Sequence, residues 1–320
     1  MENLELVLRQ LKNNKSRDPL RWANELFKPN NAGKDLKLAI LRMMNEIKRQ
    51  QTVPDIIKRC NITSIYKKKG SRKDFSNYRG IFRVTILRSI LDKFIYNDEY
   101  ANIDENLTDS NVGARRDRNI RDNIFVINAI TNNVRKRNLK DTDIQIYDAE
   151  KYFDKLWANE CYNDAYENGF KSDKLALLYN INKNAQVGIK TATGITKRED
   201  IYNIIMQGSV FGSLICTSIM DKLAKMFYKD KNLLYMYKGE VEVPILGMVD
   251  GVLSVAKCSN TVVTTTATIN SFMEVNKLKL APSKCAKHHI GKKQSECPVT
   301  RVHEQEMQSS KAEKYLCDVI

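Results

Sequence analysis

Apolar residues recur at helical spacing in two stretches near the start of the chain. Between positions 4 and 11, and again between positions 36 and 47, they return every three or four residues. This period places the apolar side chains on one face of a helix. The polar stretch 12–19 ends in a proline and predicts a loop between the two patterns. We therefore expect a helix on either side of that loop.

Further along, helical periods alternate with short strand-like runs. Strands are predicted where apolar and polar residues alternate or β-branched residues cluster, namely at 61–66, at 143–148 and twice within 185–206. Helices are predicted at 85–100, 119–137, 160–166, 173–181, 209–228 and 264–275. This mixture of helices with short strands is typical of an α+β fold.

Residues 243–256 predict a β-hairpin. Two apolar runs flank Asp250-Gly251, and Asp-Gly between apolar runs is a strong hairpin signal because both residues tolerate positive φ. We therefore expect Asp250 and Gly251 to form the turn. A second aspartate, Asp148, ends the strand predicted at 143–148.

Both aspartates are candidates for metal binding. Transfer of a nucleotidyl group depends on metal ions more than on covalent help from the protein. Mg²⁺ prefers hard oxygen ligands and keeps several waters, so two well-placed carboxylates and the substrate phosphates suffice. The alternatives are a turn residue for Asp250 and a helix cap for Asp148.

Charge indicates a polyanionic partner. The chain has 53 Lys and Arg against 38 Asp and Glu, for a net charge of +15, and 42% of its residues are hydrophobic. The hydrophobic content predicts a folded protein, and the excess of positive charge favours nucleic acid as the partner.

Cysteine usage and the N-terminus bear on the compartment. The chain has 7 Cys without a CxxC pair, and the Cys and His residues between 285 and 303 fit no familiar zinc spacing. We find neither a signal pattern at the N-terminus nor an apolar run of about 20 residues. We therefore predict a nuclear and/or cytoplasmic protein that is not secreted and has no membrane partner.

Several segments resemble, in order, the motifs of reverse transcriptases in the form carried by LINE-like, non-LTR (jockey-like) retrotransposons. Motif A corresponds to 146–157, motif B to 206–214 and motif C to 246–254. The flanking segments are the fingers motif at 65–81, the segment after it at 111–122, motif D at 277–285 and the start of motif E at 314–316. The resemblance covers most of residues 13–320.

The resemblance implies a right-hand polymerase fold. This is an α+β architecture with an antiparallel palm sheet, a fingers subdomain and a thumb that is absent or truncated. The expected divisions are an N-terminal helical segment (1–55), fingers (56–142), palm with motif A (143–165), a fingers–palm connection (166–200), palm with motifs B, C and D (201–300) and the start of the primer grip and thumb (301–320).

The implied activity is that of an RNA-directed DNA polymerase within a retrotransposon. Such an enzyme adds dNTPs to the 3′-hydroxyl of a DNA primer on an RNA template and uses two Mg²⁺ (or Mn²⁺) ions. By resemblance, Asp148 and Asp250 are the catalytic metal ligands, and the carbonyl of Ala149 is an additional ligand.

The resemblance also implies nucleotide-binding residues. Phe153 stands where the family has the steric gate that selects dNTPs, with a core phenylalanine as the alternative. The other implied residues are Gln207 and Gly208 in the nucleotide pocket, Lys67, Lys69 and Arg79 over the triphosphate, and Lys284 as a proton donor to pyrophosphate or a contact to the template backbone. A helix start is the alternative for Gln207-Gly208, and a solvated basic turn is the alternative for the basic residues near 70.

One departure from the family pattern bears on activity. Gly251 stands where the family has a second aspartate in motif C. Losing this carboxylate predicts weaker metal binding, whereas glycine suits a turn. A catalytically weakened or inactive nucleic-acid-binding remnant of a reverse transcriptase is therefore the alternative function.

Overall fold

The computed structural model describes residues 1–137, 142–201, 209–257, 259–290, 300–303, 305–309, 314–315 and 318–319. Its helices are α1 (Glu2–Arg9), α2 (Lys34–Gln50), α3 (Asp55–Lys58), α4 (Ile86–Asp104), α5 (Ile120–Arg137), α6 (Tyr152–Lys155), α7 (Ala158–Glu167), α8 (Ser172–Asn182), α9 (Val210–Lys229) and α10 (Ser259–Val275). Short 3₁₀ helices cover Asn24–Phe27, Phe75–Asn77 and Pro282–Lys284.

The strands follow the same chain order. They are β1 (Cys60–Tyr66), β2 (Tyr78–Val84), β3 (Thr142–Asp148), β4 (Ala185–Ile189), β5 (Glu199–Ile201), β6 (Tyr235–Tyr237), β7 (Val241–Val243), β8 (Leu246–Met248), β9 (Gly251–Ala256), β10 (Ala286–Ile290), β11 (Arg301–Val302), β12 (Gln305–Glu306), β13 (Gln308–Ser309), β14 (Lys314–Tyr315) and β15 (Asp318–Val319).

The chain divides into two compact units. The first combines Met1–Ile103 with Trp157–Gly212, and the second combines Asp104–Leu156 with Ser213–Ile320. The sheet of the first unit has the strand order β2-β1-β4-β5. β1 pairs antiparallel with β2 and parallel with β4, and its core contains Cys60, Ala185 and Val187.

A buried ion pair lies within α4 of the first unit, and its arginine also bonds to α8. Arg88 and Asp92 lie one turn apart on α4, and Arg88 Nε is 3.7 Å from Asp92 Oδ2. Both side chains are almost fully buried, and burial raises the pKa of Asp92. The Arg88 guanidinium also donates to the carbonyl of Ile181 and the side chain of Asn182 in α8. These bonds offset part of the cost of burying the guanidinium charge.

The five-stranded sheet of the second unit has the order β13-β10-β3-β9-β8. β3 is central, and it pairs antiparallel with both β9 and β10. Alternate residues of a strand face opposite sides of a sheet. On one side an apolar cluster joins this sheet to α5; it contains Ile127, Ile130, Val134, Ile144, Ile146, Tyr235, Val243, Leu246, Leu253, Val255 and Ile290.

A polar network lies on the other side of β3. Gln145 Nε2 donates to Thr266 Oγ1 of α10 at 2.9 Å, and Ser254 Oγ of β9 donates to Gln145 Oε1 at 3.1 Å. The Tyr147 and Thr266 hydroxyls are 2.8 Å apart. Satisfied buried networks of this kind favour one arrangement of strands and helix, so they support the register of β3 against β9.

The α+β prediction is confirmed. Most helices lie where the hydrophobic pattern predicts them, and so do strands β1, β3, β4, β5, β8 and β9. The turn of the predicted hairpin is different. Met248 pairs with Gly251, so the turn residues are Val249 and Asp250, and Gly251 begins β9 in extended conformation. The prediction that Asp250 and Gly251 form the turn was therefore wrong by one position. The reason is that Val249, the last residue of the apolar run 246–249, belongs to the turn and not to the strand.

The structure also bears on the cysteines and on membrane spans. Cys60, Cys161, Cys216 and Cys285 are buried in the reduced form. None of the described helices combines the length and apolar character needed to cross a bilayer.

Candidate active site

Two aspartates distant in sequence meet at one end of the five-stranded sheet. Asp148 is the last residue of β3, and it pairs with Gly251, the first residue of β9. Asp250 immediately precedes Gly251 in the two-residue turn between β8 and β9. The register therefore brings the sequence-predicted residues Asp148 and Asp250 together, and both are partly buried.

The charge of Asp148 acts on Asp250. Burial, and after it the negative charge of Asp148, raises the pKa of the Asp250 carboxyl to about 6. A carboxyl group whose ionisation is disfavoured by burial and by a neighbouring negative charge lies in a region of negative potential. A divalent cation would relieve this repulsion, and carboxylate oxygens are the ligands that Mg²⁺ and Mn²⁺ prefer. The pair therefore fits a hard divalent ion.

Lys284 lies beside the same pair. It ends the 3₁₀ turn before β10, and its ammonium group forms an ion pair with Asp148 Oδ1. The Ala281 N–H donates to the Asp148 carbonyl at 2.8 Å and fixes this turn against the end of β3. The Lys284 side chain is 59% exposed, so the ammonium remains accessible to solvent. In this structure the residue predicted to contact pyrophosphate or template contacts the candidate metal ligand.

Ala149 follows Asp148 and is buried. It forms an antiparallel bridge with Leu280, and the hydrogen bonds of that bridge come from its neighbours, Asp148 and Glu150. In such a pair the N–H and C=O of the central residue point away from the partner strand. The Ala149 carbonyl therefore faces the β9 side of β3, which is compatible with its predicted use as a ligand.

The turn that carries Asp250 has an unusual backbone. Val249 has φ of 60°, a conformation that β-branched residues rarely adopt. The side chain of Asn111 bonds both the N–H and the carbonyl of Val249. Sequence analysis placed Asn111 at the start of the motif-like segment 111–122 but assigned it no function, because its contacts with Val249 lie 138 residues away.

Phe153 lies in the short helix α6 that follows Asp148. Its ring packs edge-on against Tyr152 at 6.1 Å between centroids, and the Tyr152 hydroxyl donates to the carbonyl of Cys216 at 2.8 Å. Tyr152 is buried, whereas Phe153 is only half-buried. The alternative of a core phenylalanine therefore does not describe Phe153.

The basic residues predicted to bind triphosphate lie in the first unit, on the β1–β2 connection and at the start of β2. Lys67, Lys69 and Arg79 are exposed. Lys67 Nζ donates to the Ser76 carbonyl at 2.8 Å, and Arg72 lies over the Tyr66 ring at 5.3 Å. The connection is thus an ordered basic loop. Within the first unit its exposed cations could contact phosphate.

Other predicted positions have different outcomes. Gln207 and Gly208 lie outside the described residues.

The Cys and His residues near the end of the chain do not form a metal site in the described part of the structure. Cys285 is buried, and His289 Nδ1 is 3.1 Å from Asp143 Oδ1. Within the described ranges, no group of three or more His, Cys, Asp or Glu side chains is arranged to hold a metal ion. The Asp148–Asp250 pair would therefore need backbone, water or phosphate oxygens to complete a coordination shell.

Comparisons with known proteins identify the class. The fold is similar to that of apo telomerase from Candida tropicalis truncated from its C-terminal domain, with a TM-score of 0.53 and 12% identity. The alignment covers 81% of this chain and 56% of that chain, and at this identity the likeness shows a shared right-hand polymerase fold. Residues 66–316 match the family described as reverse transcriptase (RNA-dependent DNA polymerase). The chain belongs to this family. A comparison with curated protein sequences finds no match.

Proposed function

We propose that this chain is the polymerase core of an RNA-directed DNA polymerase that extends a DNA primer on an RNA template with dNTPs. The observation that carries the proposal is the meeting of Asp148 and Asp250 at the end of one sheet. The two carboxylates and the Ala149 carbonyl would hold two Mg²⁺ or Mn²⁺ ions. When bound, these ions would supply activation of the primer 3′-hydroxyl and neutralisation of charge on pyrophosphate.

The chain's own residues would bind and orient the substrates. Phe153, half-buried after motif A, would lie under the sugar and exclude a 2′-hydroxyl. Lys67, Lys69 and Arg79 would bind phosphate oxygens. Gln207 and Gly208 would line the nucleotide pocket. Lys284 would exchange its Asp148 contact for pyrophosphate or template once a divalent ion neutralises that carboxylate.

The finer assignment follows the motif pattern. The order and spacing of the segments between 65 and 316 resemble those of LINE-like, non-LTR retrotransposons. We therefore propose a mobile-element origin, with action in the nucleus and/or cytoplasm. The net charge of +15 supports a nucleic-acid partner.

Primer extension on an RNA template tests the proposal. The chain should extend a DNA primer weakly with Mg²⁺ and better with Mn²⁺, which tolerates less ideal ligand geometry. Asp148→Asn and Asp250→Asn should each abolish extension, whereas Asp200→Asn, at an exposed strand in the other unit, should not. Extension that survives both active-site substitutions would exclude this site as the catalytic centre.

A second candidate is a nucleic-acid-binding protein without turnover. Gly251 favours it, because one carboxylate of the family pattern is missing beside Asp148. This candidate predicts RNA binding whose affinity falls steeply with salt concentration, as expected for contacts to phosphates, together with no extension under either metal ion.

A further inference from the structure

The turn between β8 and β9 is held in a conformation that its sequence disfavours. Val249 has φ of 60°, where the branched side chain crowds the backbone, and such a strained conformation persists only when the surrounding structure imposes it. Asp250 is the next residue, so the direction of its carboxyl depends on the backbone of Val249.

The Asn111 side chain is hydrogen-bonded to the backbone of Val249. Its Oδ1 accepts from the Val249 N–H at 3.1 Å and from the Gly113 N–H at 2.9 Å. Its Nδ2 donates to the Val249 carbonyl at 3.3 Å. One amide therefore bonds both polar groups of the strained residue. Asn111 is 3% exposed, so water does not compete well for these bonds.

Backbone pairing places Asn111 against the hairpin. The Val112 N–H donates to the Gly247 carbonyl at 3.0 Å, and the Gly247 N–H donates to the Ser110 carbonyl at 2.7 Å. This parallel bridge adds a short strand-like segment beside β8. The position of Asn111 is therefore set independently of its side-chain bonds.

Two glycines permit this close approach. A Cβ at Gly113 would lie 2.4 Å from the Val249 nitrogen, and a Cβ at Gly247 would lie 2.8 Å from Asn111 Nδ2. Either side chain would push Asn111 and the turn apart. The glycine on each side of the contact is thus a packing requirement of the Asn111–Val249 pair.

We propose that Asn111 is a positioning residue for the candidate metal site, because it holds Val249 in the left-handed conformation and so keeps the Asp250 carboxyl beside Asp148. The effect of Asn111 on catalysis rests on the proposed function. Its hold on the Val249 backbone does not. Asn111 does not itself ligate the metal. Residues that orient metal ligands typically change metal affinity by 10–100-fold when they are removed.

The test compares Asn111→Ala with a matched control in the full chain. Asn123 is also a buried asparagine, and its Nδ2 donates to the Gly247 carbonyl at 2.9 Å, so Asn123→Ala loses a bond to the same hairpin without releasing the turn. The rescue variant adds Val249→Gly to Asn111→Ala, because glycine adopts positive φ without strain.

Two measurements on the nucleotide-free protein do not need polymerase activity. Amide hydrogen exchange at Val249 should become roughly tenfold faster in Asn111→Ala and stay unchanged in Asn123→Ala. Mn²⁺ binding should weaken by roughly tenfold or more in Asn111→Ala, remain unchanged in Asn123→Ala and recover in Asn111→Ala/Val249→Gly. Where primer extension is measurable, kcat should fall at fixed Mn²⁺ while the KM for dNTP changes little.

The outcomes separate this inference from the proposed function. Suppose that amide exchange at Val249 is faster in Asn111→Ala but no variant extends primers. This result would support the positioning role of Asn111 and would count against the proposed polymerase function. If Asn111→Ala leaves both the amide exchange of Val249 and the Mn²⁺ affinity unchanged, Asn111 is not a positioning residue. This conclusion would hold whether or not primers are extended. If Asn111→Ala does not fold, Val249→Gly and Asn111→Ala/Val249→Gly are compared. Equal Mn²⁺ affinity of these two variants supports the positioning role of Asn111. A further roughly tenfold loss of affinity in the double variant overturns it.

Discussion

The backbone of Asp148 lies directly opposite that of Gly251 in antiparallel register. Residues opposed in this way present their side chains on the same face of the sheet, with Cβ atoms about 5 Å apart. A side chain at position 251 would therefore stand next to the Asp148 carboxyl. Gly251 leaves this position without a carboxylate, at the place where the sequence resemblance predicts the second aspartate of motif C.

Restoring that carboxylate should strengthen metal binding. In Gly251→Asp we expect the Mn²⁺ concentration for half-maximal primer extension to fall roughly tenfold, which corresponds to about 1.4 kcal/mol, because a third oxygen ligand joins Asp148 and Asp250. Gly251→Ala is the control, since it adds a Cβ in an extended strand position without charge. Equal metal dependence in the two variants would show that position 251 does not face the ions.

Asp250 should make the metal-free protein less stable as the pH rises. Its pKa in the folded protein is about 6 against an ordinary value of 3.8, so the folded state binds the proton more tightly than the unfolded state. The contribution to stability is complete below about pH 4 and is lost as the pH passes 6. Its size is at most about 3 kcal/mol.

Asp250→Asn removes this dependence. Relative to the wild-type chain, its free energy of unfolding in urea should be higher at pH 7.5, while that advantage should disappear near pH 4. The exposed Asp200→Asn serves as the control and should show no such difference between the two pH values. A constant difference between Asp250→Asn and wild type across this range would contradict the assigned electrostatic environment.

Removing Lys284 should free Asp148 for metal. In Lys284→Gln we expect a few-fold tighter Mn²⁺ binding to the nucleotide-free protein, because the ammonium no longer pairs with Asp148 Oδ1. The effect should be modest, since an exposed ion pair contributes at most about 1 kcal/mol. Lys279→Gln makes the same change in charge at an exposed neighbouring lysine. Titration calorimetry showing equal gains in both variants would point to net charge and not to the ion pair.

Removing Arg88 alone should destabilise the first unit more than removing both Arg88 and Asp92. Arg88→Met leaves the buried Asp92 carboxyl without its cation, which should cost about 3–5 kcal/mol in urea unfolding. Arg88→Met/Asp92→Leu removes both charges and should recover much of that loss. A double variant as unstable as the single one would show that the bonds to α8 dominate over the ion pair.

Much of the local structure was predictable. The periods of apolar residues predict α2, α4, α5, α8 and α9 close to their observed bounds, because a helix or strand buries one face and that face is visible in a short window. Strands β2, β6, β7 and β10 were missed. The last three are runs of three to five residues with little periodic signal, and β2 lacks a strict alternation of apolar and polar residues. Asp148 and Asp250 were identified because the motif order and the turn chemistry single them out.

The amino-acid sequence alone thus determined the longer helices, the central strands, the family resemblance and the two candidate carboxylates. Packing of the folded chain decided which residues occupy the turn, that Asp148 faces Gly251, that Lys284 pairs with Asp148 and that Asn111 clamps Val249. The contacts of Asp148 with Gly251 and Lys284, and of Asn111 with Val249, join residues more than 100 positions apart. A local pattern sets the direction of a side chain along its own strand, but strand register and long-range contacts depend on how whole elements pack together.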